Sequence, residues 1–167
     1  MKWQLESRYR QRTWAQLKPL LIDSPGTGDA HLAGLVLLMP HLPVQLLHPS
    51  LPVLLPLLVR ALTLPSTTSA ALTCLQEITR SSPDLVSSHL SEVIHHCLEL
   101  SKTSALPDRV LALTVLGSCT SLEGPVPVQL APKVKKELSF ALKDKKRVVR
   151  MEAARVRNKW FLVTQPA

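Results

Sequence analysis

The sequence predicts an all-α fold in which about four helical hairpins stack as an α-solenoid. Hydrophobic residues make up 46% of the 167 residues and aromatic residues only 4%, so the core is expected to be aliphatic and rich in leucine. Five glycines and fourteen prolines suit short helices better than many β-hairpins. The third observation is an internal repeat of about 40 residues that contains two apolar helical segments each time.

The repeat is visible when the second helix of each hairpin is placed in register. Arg150–Ala153 aligns with Arg109–Ala112, then with Thr68–Ala71 and Ala30–Ala33, at offsets of 41, 41 and 38 residues. A period near 40 residues with two helices per unit is typical of HEAT-repeat and armadillo-like solenoids. A generic bundle of four hairpins is the alternative, but it carries no repeated register.

The elements follow from this register and from the prolines near the start of each first helix. The first helices are expected at Trp3–Ile22, Ser50–Leu62, Ser87–Leu100 and Leu130–Leu142. The second helices are expected at Ala30–Met39, Ser66–Thr79, Ala105–Ser121 and Lys145–Phe161, with Asp108 as an N-cap. The prediction is a single domain over residues 1–167, with hairpins at about 1–41, 42–82, 83–124 and 125–163.

The positive charge of the chain is concentrated at its C-terminal end. The formal net charge is +8, yet residues 1–132 carry nine basic and nine acidic groups. Residues 133–167 carry eleven basic groups against three acidic ones and therefore hold the whole excess. Such a localised cationic face is expected to attract an acidic partner, although the sign alone does not identify its class.

The cysteines and histidines do not form a convincing metal site. Cys74, Cys97 and Cys119 are far apart in apolar segments, which predicts buried thiols in a reducing compartment. His95 and His96 precede Cys97 directly, but consecutive helical residues point about 100° apart and cannot converge on one ion. We therefore expect no metal and no cofactor; a helical metalloprotein that uses these residues is kept as a hypothesis.

No enzymatic or membrane-spanning signature is recognisable. Pro25–Gly28 lacks the lysine and the strand of a phosphate-binding loop, and no nucleophile has an evident base and oxyanion donor, so an enzyme is not expected. Trp3–Arg12 is too polar for a signal peptide. Ala30–Val59 has no charge, but five prolines interrupt it, and lipid cannot satisfy the backbone groups that interior prolines free.

The last predicted helix combines a buried stripe with a basic surface. Val149, Ala153, Val156 and Trp160 lie at helical spacing and are expected to pack inward. The candidate partner-binding residues around this stripe are Lys145, Lys146, Arg147, Arg150, Met151, Arg157 and Phe161. In this interpretation an exposed apolar anchor lies within a ring of cations. A solvated basic cap and a nucleic-acid-binding helix are the alternatives, and the lack of interleaved aromatic residues weakens the second.

Several segments resemble one known family. Leu142–Ala153 (LKDKKRVVRMEA) and Arg157–Leu162 are similar to the end of the large HEAT-repeat adaptor of cytosolic iron–sulfur protein assembly, and Leu46–Leu55 and Leu72–Gln76 resemble it too. That family was first named for methyl-methanesulfonate sensitivity and nucleotide excision repair. The similarity covers essentially the whole chain and corresponds to the adaptor's C-terminal region.

The resemblance implies a non-enzymatic scaffold without a cluster of its own, found in the cytoplasm and nucleus. Such a module would dock a WD-repeat propeller and a small partner protein, and help deliver iron–sulfur clusters to apo-proteins of DNA replication and repair. It would be a fragment of a longer solenoid, with Trp3, Tyr9 and Trp14 on a face where preceding repeats pack. Membrane binding and direct nucleic-acid binding are not expected.

Overall fold

The computed structural model describes residues 2–22, 28–122 and 124–164, with the backbone alone for residues 2–7 and Leu21. These residues form helices, turns and short connections with no strand among them, so the predicted all-α fold is confirmed. The described residues divide into two compact units, the first ending at Cys74 and the second beginning at Leu75.

The first unit is a series of helices broken by proline-containing turns. It contains α1 (Lys2–Leu21), α2 (Asp29–Leu38), α3 (Val44–Leu47), α4 (Leu51–Ala61) and the beginning of α5 (Thr68–Ser81). Single 3₁₀ turns, Met39–His41 and His48–Ser50, flank α3. Pro52 lies in the first turn of α4, where its missing N–H would have had no intrahelical partner.

The core of the first unit is aliphatic, as the composition predicts. Helix α2 packs against α4, and both present buried faces to this contact. The fully buried leucines include Leu35, Leu51, Leu54, Leu55 and Leu58. After α4, the Thr67 hydroxyl donates to the Ala61 carbonyl at 2.8 Å and fixes the turn that leads into α5.

One stretch of the described chain, Val44–Ala61, is long and apolar enough to cross a bilayer by length and composition alone. In the structure it is two helices separated by a 3₁₀ turn, and 44% of it is buried within the protein. A spanning helix would need unbroken backbone hydrogen bonding through the lipid core. Leu51, Leu54, Leu55 and Leu58 of α4 instead belong to the core described above.

The second unit shows the predicted repeat directly. It contains the rest of α5, then α6 (Pro83–Ser87), α7 (Leu90–Thr103), α8 (Leu106–Ser118), a 3₁₀ turn, α9 (Pro125–Ala141) and α10 (Arg147–Leu162). Helices α7 and α8 form one hairpin and α9 and α10 the next. Helix α9 also packs on α7, and α10 packs on α8. The first helices of successive hairpins therefore pack on each other, and so do the second helices, as in a helical-repeat solenoid.

The α8–α10 contact is close and specific. A Cβ atom at Gly117 would lie 3.1 Å from Cγ2 of Val156, so the absent side chain at Gly117 lets the two helices approach. Val149, Ala153, Val156 and Trp160 are all buried, which confirms the predicted inward stripe. The indole Nε1 of Trp160 donates to the Leu116 carbonyl at 3.0 Å and thereby bonds α10 to the end of α8.

Two ion pairs connect the successive hairpins of the second unit. Arg109 Nη1 donates to Asp144 Oδ2 at 2.7 Å, with side chains only 19% and 9% exposed. Lys102 Nζ donates to Glu137 Oε2 at 2.8 Å and also reaches Glu99 at 3.0 Å. The hydrogen bond from Lys102 lowers the pKa of the Glu137 carboxyl below its ordinary value. Each hairpin is therefore bonded to the next by polar contacts as well as by apolar packing.

The structure corrects some predicted boundaries. Helix α9 begins at Pro125 instead of Leu130, because prolines are tolerated in a first turn whose N–H groups have no intrahelical partner. The helix expected from Ser87 is two helices, α6 and α7. Asp108 is not an N-cap: Ala105 holds that position, and Asp108 lies in the first turn of α8, where its charge still favours the helix dipole.

Candidate partner-binding surface

Three consecutive cations lie at the junction between the preceding loop and α10. Asp144 anchors this loop because its Oδ1 accepts a hydrogen bond from the Lys146 backbone N–H at 2.7 Å, while Oδ2 holds Arg109. Lys145, Lys146 and Arg147 follow with exposed side chains. The same buried carboxylate that connects the hairpins therefore sets the backbone from which these cations project.

Arg150 has a structural contact within the same loop. Its Nη1 donates to the carbonyl of Asp144 at 2.8 Å and to that of Lys145 at 3.1 Å. Both acceptors precede α10, so the guanidinium bonds the first turn of the helix to its own entry loop. Arg150 is exposed, but its substitution would disturb the loop as well as remove a surface charge.

Phe161 and Arg157 form a small cluster with a cation from α9. The guanidinium of Arg157 lies 5.1 Å from the centre of the Phe161 ring, and Nζ of Lys135 lies 4.9 Å from it. Lys135 also donates to the Thr164 hydroxyl at 3.1 Å. Phe161 is 41% exposed, and both cations lie within the range of cation–π attraction to its ring.

Met151 lies on a different side of α10 from Phe161. Ten residues at about 100° each place the two side chains about 80° apart around the helix. Met151 is 59% exposed, and Val148 and Leu162, exposed to 58% and 65%, lie close to it in angle. The predicted set of seven residues is therefore divided by the structure, with Met151 on the outer face and Phe161 beside α9.

Val148 and Leu162 were missed as surface residues. Both are aliphatic and exposed, but the predicted partner-binding set included only Met151 and Phe161 as apolar residues. The available signal was their spacing from Met151, at three and eleven residues, which a helical wheel places opposite the buried stripe.

The acidic groups of the last hairpin are already engaged in ion pairs. Glu137 binds Lys102, Asp144 binds Arg109, and Glu152 Oε2 accepts a hydrogen bond from Arg155 at 3.3 Å. Residues 133–164 contain no other Asp or Glu. The three acidic groups of residues 133–164 are thus all paired with cations, and the remaining basic side chains carry the positive excess of this hairpin.

The thiols have no reactive character. Cys74, Cys97 and Cys119 are buried, and burial raises the pKa of Cys74 and of Cys119 to about 12 and that of Cys97 well above its usual value. Neutral thiols are poor metal ligands. Within the described part of the chain, no three His, Cys, Asp or Glu side chains are grouped as ligands for a metal ion.

The N-terminal aromatic residues divide between core and surface. Trp14 is 5% exposed and belongs to the core of the first unit, whereas Tyr9 on α1 is 72% exposed. The side chain of Trp3 and residues 25–27 of the Pro25–Gly28 segment lie outside the described structure. An exposed face for preceding repeats therefore stays a prediction.

The stacked hairpins and the basic terminal face define a helical-repeat protein of the HEAT type. A family model described as "RNAPII transcription regulator C-terminal" (MMS19_C) matches residues 2–120. The chain belongs to this family and corresponds to its C-terminal region, so the resemblance seen in the sequence is confirmed.

Curated relatives extend the match into the last hairpin. In alignments that cover 95% of this chain, it is 37% identical to the MMS19 nucleotide excision repair protein homolog of Bos taurus and 33% identical to that of Homo sapiens. It is 35% identical to the DNA repair/transcription protein mms19 of Schizosaccharomyces pombe over 92% of the chain. The names describe repair and transcription proteins, not enzymes. The chain spans 16% of the length of each of these relatives.

Proposed function

We propose that this chain is a non-enzymatic adaptor module of the cytosolic iron–sulfur protein assembly targeting complex. Its terminal hairpin docks the WD-repeat propeller and its small partner, and thereby helps deliver clusters to apo-proteins of DNA replication and repair in the cytoplasm and nucleus. Support comes from membership of the MMS19 family, whose members carry repair and transcription names.

The observation that supports the docking role is the difference between the buried and the exposed sides of α10. Four buried residues bind the helix to α8 and α9, while its exposed side is cationic and apolar at once. A solvated cap would need only polar residues on that side. Exposed apolar side chains among cations are instead typical of a surface that contacts a partner.

Charge reversal at Lys146 and Arg147 tests the proposal. Both side chains are exposed at the start of α10, where a glutamate is favourable for the helix dipole, so K146E/R147E is expected to fold normally. The matched control is K133E/K136E, which makes the same charge change at exposed positions of α9. Arg150 is left unchanged because it bonds the loop.

The readout is co-purification of the propeller and its small partner with each variant, together with circular dichroism for helicity. We expect loss of both partners with K146E/R147E and retention with K133E/K136E. If both variants retain the partners, this end of the chain is not part of the interface. If both variants lose them equally, the effect depends on net charge alone and not on these two positions.

Nucleic-acid binding is the second candidate, favoured by the net charge of +8. It predicts an affinity that decreases steeply with salt, because each phosphate contact releases a counterion. The exposed Val148, Met151 and Leu162 argue against it, since a phosphate backbone offers them no apolar surface. A lack of measurable binding to duplex DNA at low salt would exclude this candidate.

A further inference from the structure

The outer face of α10 has the spacing of a coiled-coil seam. Val148, Met151, Arg155, Asn158 and Leu162 follow one another at intervals of three and four residues, and all are exposed. At about 100° per residue they fall within an arc of about 80°, on the side opposite Val149, Ala153, Val156 and Trp160. We call these five residues the outer seam.

We propose that the outer seam binds a single amphipathic helix of an acidic partner protein, packed along α10 as in a two-stranded coiled coil. This inference rests on the proposed function of the hairpin as a docking end. It adds the class of the bound element and the residues that contact it.

The seam's composition sets what the partner helix must carry. Val148 and Met151 form an apolar site at one end, and Leu162 forms another at the other end. Fourteen residues separate Val148 from Leu162, a distance of about 21 Å along the axis. Arg155 and Asn158 lie between these sites, so the complementary helix presents apolar residues near both ends and a carboxylate between them.

An extended peptide fits this surface less well than a helix. A helix has satisfied its own backbone groups, so α10 offers no free N–H or C=O row to which a strand could add. Anchors at three- and four-residue intervals match the side chains of another helix, because only that geometry repeats every 3.5 residues.

Charge complementarity selects an acidic helix over a second copy of this chain. Arg147 and Lys159 flank the seam, and Arg155 lies within it. The acidic residue beside the seam, Glu152, already contacts Arg155. Two copies would bring together two identical faces that carry the same positive excess, and like charges across such a seam oppose association.

The probe for the test is a synthetic 21-residue helix with leucine at the a and d positions near both ends, and with glutamate at the central a and d positions and on the flanks. Its binding to the 167-residue chain is measured by fluorescence anisotropy. We expect saturable binding that M151E or L162E weakens about 30-fold each, the loss expected when a charge replaces an apolar anchor of the interface. V128E is the matched control: Val128 is 49% exposed on α9, and its substitution is expected to leave the affinity unchanged.

Two further probes test whether the outer seam binds a helix, a non-helical peptide or a lipid surface. A peptide of the same composition with a central proline cannot form a continuous helix and is expected not to bind. Equal binding of that peptide, absence of any binding, or equal weakening by V128E would each overturn the inference. Binding of phosphatidylserine vesicles that M151E abolishes would overturn it in favour of a lipid surface.

Co-purification separates a failure of this inference from a failure of the proposed function. If M151E/L162E retains the propeller and its small partner while K146E/R147E loses them, the seam is wrong and the docking role stands. If both variants retain these partners, both proposals are wrong. Loss with both variants, with normal helicity, supports both.

Discussion

Replacement of Trp160 by phenylalanine tests how the last hairpin is attached to the one before it. Trp160 is fully buried, and its indole N–H donates to the Leu116 carbonyl in the last turn of α8. Helix ends leave carbonyls without intrahelical partners, so this bond satisfies an acceptor at a terminus. W160F keeps an aromatic ring in the core but removes the donor.

The expected loss follows from two contributions. An unsatisfied buried carbonyl costs about 1–3 kcal/mol, and the smaller ring leaves a cavity worth about 1 kcal/mol more. Together they predict a decrease of about 2–4 kcal/mol in the free energy of unfolding. The measurement is urea denaturation followed by far-UV circular dichroism, with F161L as the control.

Phe161 is adjacent in sequence but 41% exposed, and F161L is expected to lower stability by only about 1 kcal/mol, through loss of its contacts with Lys135 and Arg157. A W160F protein as stable as the unsubstituted chain would refute the assignment of the indole bond. So would a larger loss with F161L than with W160F.

Three further predictions concern the same unit. D144A removes a carboxylate whose side chain is only 9% exposed and which pairs with Arg109, and it is expected to lower the free energy of unfolding by about 2–4 kcal/mol in thermal or urea denaturation; wild-type stability would contradict this. G117A should be close to neutral, because steric pressure on Val156 offsets the gain in helix propensity, but stabilising by about 1 kcal/mol in a V156A background; equal effects in both backgrounds would exclude the close contact. The pKa of Glu137 is lowered by Lys102, so this pair contributes stability above the ordinary glutamate pKa of 4.5 and loses it as pH falls through the lower folded value. Acid titration of K102M should lack that component, and an unchanged titration would refute the pairing.

Helical periodicity determines much of what could be predicted from the sequence. Val149, Ala153, Val156 and Trp160 recur at helical intervals, and burial of one face follows from that spacing whatever the neighbours are. The register of the second helices similarly predicted that α8 and α10 occupy equivalent positions and stack.

The roles of individual surface side chains could not be predicted in this way. Arg150 belongs to the entry loop and Phe161 lies between Lys135 and Arg157, and both facts depend on distances between residues that periodicity does not specify. The start of α9 was predicted at Leu130 but lies at Pro125, because the first turn of a helix tolerates prolines. The exposure of Val148 and Leu162 is consistent with their helical spacing from Met151, but neither residue was included in the predicted surface.

Oxidation of Met151 by dilute peroxide measures directly whether the exposed side of α10 is the docking surface. Met151 is 59% exposed, whereas Met39 is 1% exposed and serves as an internal reference. When the chain is bound to the propeller and its small partner, we predict that oxidation of Met151 slows at least about tenfold while Met39 stays slow in both states. Oxidation of Met151 at the same rate in the free and the bound chain would show that the partners bind elsewhere.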